Sequence, residues 1–136
     1  MKTNVIQSPS VTEVTDWFET QQRRNASISL FVRCEVVYDG RASSELATGD
    51  RFILCKPDNA FVVHTDSGCD PQNWMPPGGT ITVSETDPLT ITAKRTDPTE
   101  VIDVVCDEVY HGSFMQIEDT AELRLQGSER DLQEYI

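Results

Sequence analysis

Ile28-Ser29-Leu30-Phe31-Val32-Arg33-Cys34-Glu35-Val36-Val37-Tyr38 is the stretch that decides the fold class. Ile28, Leu30, Val32, Cys34 and Val36 fall on every second position, with Ser29, Phe31, Arg33 and Glu35 between them. That period of two is the signature of a half-buried strand. Similar β-type runs follow at Arg51–Lys56, Ala60–His64, Thr80–Ser84, Leu89–Lys94, Glu100–Glu108 and Ser113–Ile117. Lys56-Pro57-Asp58-Asn59 reads as the turn of a hairpin, and Thr86-Asp87-Pro88 recurs as Thr96-Asp97-Pro98, which is turn chemistry. Many short strands with little helix between them predict a mainly β protein, an antiparallel half-closed barrel or sandwich.

Outward from this core, Ser10 and Glu13 form a capping box, and Val11, Val14, Trp17 and Phe18 recur at helical spacing. They predict a short N-terminal helix on which Trp17 is a packing residue. At the other end, Ser128-Glu129-Arg130-Asp131 reads as a helix start, with Leu132, Tyr135 and Ile136 beginning an apolar stripe. The expected organisation is an extension with a short helix over 1–27, a β-barrel over 28–127 and the start of a linker helix over 128–136.

A chain of 136 residues that is 38% hydrophobic is long enough for one domain with a real core. No apolar run approaches the length of a bilayer span, and residues 1–22 lack the basic start and apolar centre of a signal peptide. A soluble, cytoplasmic protein is expected. Cys34, Cys55, Cys69 and Cys106 are far apart with no Cys-x-x-Cys, and His64 and His111 are isolated. Reduced, buried thiols and no metal are the expectation.

The formal charge of −12 argues against a phosphate-binding surface. Its distribution weakens that objection: residues 96–136 hold eleven acidic and two basic side chains, whereas residues 32–79 hold seven and four. Three lysines against eight arginines, with abundant Thr and Asp, read as a halophile's surface. In molar salt the Debye length is about 3 Å, so stacking and direct hydrogen bonds would dominate any binding.

Two loops carry the candidate binding residues. Tyr38-Asp39-Gly40-Arg41 and Asn73-Trp74-Met75-Pro76-Pro77 each set a flat side chain beside a polar one. A ring can stack on a planar ligand while its neighbour reads an edge or holds a phosphate. The structural alternative is a Tyr38 ring packed on the barrel, with Arg41 paired to Asp39 or Glu45. Prolines and glycines around Trp74 place it on a rigid loop. Lys56, on its hairpin turn, is a weaker candidate for a phosphate contact.

The run from Val32 to Gly79, above all Tyr38-Asp39-Gly40-Arg41-Ala42-Ser43-Ser44 and Asn73-Trp74-Met75-Pro76-Pro77, closely resembles the N-terminal domain of the archaeal and actinobacterial endonuclease family NucS, also called EndoMS. The resemblance extends to the C-terminus but not into the first thirty residues. It implies a half-closed β-barrel that also forms a homodimer contact, and a DNA-binding domain recognising mismatched or single-stranded DNA in repair. Tyr38 and Trp74 would stack on flipped bases, Asn73 would read a base edge and Arg41 would hold backbone. Where relatives carry a basic residue before a proline, this chain has Cys69-Asp70-Pro71, which puts a phosphate contact there in doubt.

The resemblance also implies a metal-dependent nuclease domain with a Glu-x-Lys pair, using Mg2+ or Mn2+, and a sliding clamp as partner of the full-length protein. No Glu-x-Lys or Asp-x-Lys occurs here. The expectation is therefore a chain that holds no cofactor, lacks the catalytic domain and does not cut DNA alone. From a different class, the alternative is a non-catalytic acidic β-barrel serving dimerisation or protein interaction.

Overall fold

The computed structural model describes residues 5–85 and 88–126. At its centre the strand β2 (Ser27–Asp39) buries Ile28, Leu30, Val32, Cys34 and Val36 to 1% exposure or less, while Phe31 and Arg33 face solvent. Alternation along this one strand therefore separates core from surface as the residue pattern requires.

Around it, in chain order, are β1 (Val5–Gln7), the helix α1 (Val11–Arg23), β3 (Ser43–Cys55), β4 (Phe61–His64), β5 (Asn73–Met75), β6 (Thr80–Ser84), β7 (Leu89–Arg95) and β8 (Glu100–Met115). The strands form one antiparallel sheet in the order β5-β4-β3-β2-β8-β7-β6, with β1 added to β8. The sheet curls so that β5, at one end, comes close to β7 and β8. The result is the expected half-closed barrel.

α1 caps the core. The Ser10 hydroxyl accepts from the Glu13 N–H and the Ser10 N–H donates to the Glu13 carboxylate, both at 3.2 Å, so the capping box is formed. Val14 and Phe18 are buried, and Trp17 packs edge-on against Phe114 at 6.2 Å between ring centroids. Gln22 ties the helix to the sheet by donating to the Ile81 carbonyl. Asn25, in the left-handed region at φ 55°, ends the helix and turns the chain into β2.

Two strands run longer than their residue patterns suggest. β3 begins at Ser43, not Arg51, because Ser43–Asp50 pairs with the outer half of β2 through main-chain hydrogen bonds while exposing most of its side chains, leaving no apolar period to read. β8 is continuous through Gly112, where the sequence suggests a break. A Cβ there would lie 2.9 Å from Leu30 Cδ2 and 3.0 Å from Ile6 Cγ1, so the glycine is what lets β1, β2 and Trp17 close over the strand.

The Lys56–Asn59 turn joins β3 to β4 as expected, with Asn59 at φ 71°. The turn at Thr96-Asp97-Pro98 joins β7 to β8, pairing Arg95 with Glu100. Thr86 and Asp87 of the other copy, and the expected helix from Ser128, lie outside the described residues. Cys34, Cys55 and Cys106 are buried free thiols, and Cys69 is exposed. No helix among the described residues is long and apolar enough to cross a membrane.

Candidate nucleic-acid interface

Where β5 approaches the β7–β8 turn, a cleft of about 370 Å³ opens, lined by Tyr38, Gln72, Asn73, Trp74, Pro76, Arg95 and Glu100. Each element delivers its side chain for a local reason. Tyr38 is the last core-facing position of β2, half-buried against the core and half-open to the cleft. Asn73 and Trp74 come from β5, a three-residue strand paired with β4 through Val63 and Val62. Pro76 follows and ends the pairing, since a proline cannot donate to a ladder. Arg95 and Glu100 face one another across the turn.

Trp74 is 61% exposed, unusual for so large an apolar side chain. Among the described residues its indole makes no ring contact with Tyr38, and both rings border the open volume. The Tyr38 hydroxyl donates to Glu100 Oε1 at 3.2 Å, and Arg95 Nε donates to Glu100 Oε2 at 3.0 Å. The Arg95 hydrogen bond holds the Glu100 carboxyl below its ordinary value, with the Tyr38 bond acting in the same direction. Desolvation and then the Glu100 contact push the Tyr38 phenol above its own. At neutral pH the floor is thus a carboxylate–guanidinium pair of no net charge beneath a neutral phenol.

Of the residues singled out in the sequence, Tyr38, Asn73 and Trp74 are brought together in this cleft. Arg41 is not among the residues lining the cleft; it stands exposed, close enough for its charge to act on Glu100. It does not pair with Asp39 or Glu45: the ion pairs among the described residues are Arg33–Asp50 and Arg95–Glu100. Lys56 stands apart, on the β3–β4 turn beside a small recess formed with Gln22, Ala26 and Ile81. Trp74 lies on a short strand, not in an irregular loop.

Arg95, Glu100 and Gln72 are the cleft residues that the motif reading did not include. For the first two a signal was present: opposite charges flanking Thr96-Asp97-Pro98 must meet if that turn closes a hairpin. On the outer face of the sheet, Phe31 is 49% exposed and packs on Phe52 at 4.9 Å, lining a second, more apolar recess with Tyr110 and Arg51.

The domain is thus a curled antiparallel sheet whose open side carries a cleft bordered by Tyr38 and Trp74 over a charge-balanced Arg95–Glu100 pair. The chain belongs to the NucS endonuclease family: residues 24–122 match the family model described as the Endonuclease NucS N-terminal PH-like domain. It is 39% identical over 135 residues to Endonuclease NucS of Thermococcus kodakarensis, covering 99% of this chain and 54% of that protein. It is 38% identical over 133 residues to Endonuclease NucS 2 of Halobacterium salinarum, covering 96% and 53%.

Among solved structures, one described as an EndoMS–dsDNA2 complex superposes with a TM-score of 0.90 at 38% identity, covering 99% of this chain and 57% of that one. A repair endonuclease from Pyrococcus abyssi superposes at 0.78 with 31% identity, covering 96% and 54%. The chain thus spans about half the length of the relatives it matches and corresponds to the N-terminal domain of a repair endonuclease family.

Proposed function

We propose that this domain binds mismatched or single-stranded DNA and receives unpaired bases in the Tyr38–Trp74 cleft. The observation that carries the reading is two ring-bearing residues bordering an open cleft over a neutral floor. Extruding a base costs a few kcal/mol, least where pairing is already weak, and one aromatic stack returns about 1–3 kcal/mol. Two stacks therefore offset extrusion at a mismatch more readily than at a matched pair. Asn73 is assigned to a base edge and Arg41, exposed and near enough to act on Glu100, to the backbone. Lys56 is assigned at most a peripheral phosphate contact. The relative solved with double-stranded DNA supports DNA as the partner.

The same reading makes the chain one half of a homodimer, supported by the exposed Phe31 packed on the half-buried Phe52. A protein-interaction role for this domain rests on that pair alone. Cleavage and clamp binding are assigned to the longer family proteins. Among the described residues no three His, Cys, Asp or Glu side chains converge as metal ligands, and a catalytic Mg2+ or Mn2+ is assigned with cleavage to the longer family proteins. The test is equilibrium binding to three DNAs of equal length at fixed salt. Mismatched duplex and single strand are expected to bind more tightly than matched duplex, and equal affinity for all three would contradict the reading.

A further inference from the structure

Gly40 has no backbone reason to be glycine. Its φ lies outside the left-handed region that Gly68 and Gly78 occupy at 79° and 100°. Its neighbours supply the reason instead. A Cβ at Gly40 would collide with the Tyr38 hydroxyl, lie 2.8 Å from the Tyr38 ring carbon Cζ and sit 3.0 Å from Glu100 Cγ. The ring edge rests directly on this backbone.

The hydroxyl is also held from its other side. It donates to Glu100 Oε1 at 3.2 Å, while Glu100 is anchored through Oε2 by Arg95 Nε at 3.0 Å. The Glu100 side chain is only 12% exposed, so this anchor is not a loose surface pair. The one hydrogen the phenol can donate is therefore committed within the protein. What the ring can offer the cleft is its face, with the hydroxyl hydrogen already held by Glu100.

We propose that Gly40, Glu100 and Arg95 are positioning residues that hold the Tyr38 ring preset for stacking. The inference rests on the reading of the cleft as a base-stacking site. A free tyrosine would lose side-chain freedom on stacking, and a ring already fixed by the protein loses less, so affinity rises without a new contact to the ligand. Arg95 and Glu100 also neutralise one another, which leaves the floor fit for an uncharged heterocycle and unsuited to a phosphate.

The test is binding of the full chain to mismatched duplex at fixed salt, with thermal melts as a folding control. Gly40→Ala and Glu100→Ala are each expected to weaken binding by about tenfold, the scale of one lost hydrogen bond to a charged group. Glu100→Gln keeps an acceptor for the phenol and is expected to retain most of the affinity. Tyr38→Phe keeps the ring while removing the hydroxyl that both residues touch. In that background Glu100→Ala is expected to cost no further affinity, and Gly40→Ala to cost less than it does alone, a coupling that a merely structural role would not produce. If Gly40→Ala and Glu100→Ala bind as wild type while Trp74→Ala binds weakly, positioning is wrong and stacking stands. If Trp74→Ala also binds as wild type, stacking is wrong and positioning goes with it.

Discussion

Trp74 and Met75 are neighbours in sequence and face opposite sides of β5: the indole is 61% exposed and the thioether side chain 2%. Pairing explains the split, because Met75 lies opposite the buried Phe61 and Trp74 opposite Val62. Strand alternation thus sends one residue into the core and its neighbour outward. The two substitutions should therefore separate binding from stability. Trp74→Ala is expected to weaken DNA binding by about 1–3 kcal/mol and leave the melting temperature unchanged. Met75→Ala is expected to lower stability by about 2–5 kcal/mol. Binding isotherms and denaturant titrations of both variants check this, and a Trp74→Ala protein that binds normally would remove the indole from the site.

The charge of the domain leads to a second expectation. With 23 acidic against 11 basic residues and a neutral cleft floor, few phosphates can be neutralised. The logarithm of affinity should fall with the logarithm of salt by a shallow slope, equivalent to only a few released counterions. Titrations across a salt series measure it. A slope near that of a protein holding about six to ten phosphates would show that charge, not stacking, drives binding.

A third concerns alkaline pH. Burial pushes the Cys34 thiol from 9.0 up to about 11 and the Cys106 thiol up to about 12, and raises Cys55 in the same direction. A thiol with a raised folded-state pKa stays protonated while the unfolded chain has already lost that proton. Its stabilising contribution is complete below pH 9.0 and is lost as pH rises toward the folded value. The melting temperature is expected to fall from about pH 9 upward, and Cys106→Ala should make that fall shallower relative to its own value at pH 7. A melting temperature flat from pH 8 to 11 would contradict the burial of these groups.

How much of this was legible in the residues differs from element to element. β2 was, because one face of a strand buried against a core must alternate, and Ile28 to Val36 do so without exception. The capping box at Ser10 was, because it is a local arrangement. The first half of β3 was not, since main-chain pairing of exposed Ser43–Asp50 leaves no trace in hydrophobicity. The runs ending at Glu108 and starting at Ser113 are one strand, and the reason Gly112 lies within it, the close approach of Leu30 and Ile6, comes from residues distant in the chain. Tyr38, Asn73 and Trp74 stood out as ring and reader types beside turns, and the fold gathers them in one cleft. Lys56 carried the same kind of signal, yet lies on a turn away from that cleft. The partner that fixes Tyr38, Glu100, is 62 residues away and becomes visible only once β2 and β8 are paired.

The most direct measurement of the central claim uses the protein's two tryptophans as reporters. Trp17 is partly buried and packs edge-on against Phe114, and Trp17→Phe leaves Trp74 as the single indole. Mismatched duplex titrated into this variant is expected to quench Trp74 emission saturably, at concentrations that match the binding isotherm, because a stacked base lies on the ring. Matched duplex should quench it only at much higher concentration. Emission that stays constant while mismatched DNA binds would contradict the account, since the DNA would then be held somewhere other than on Trp74.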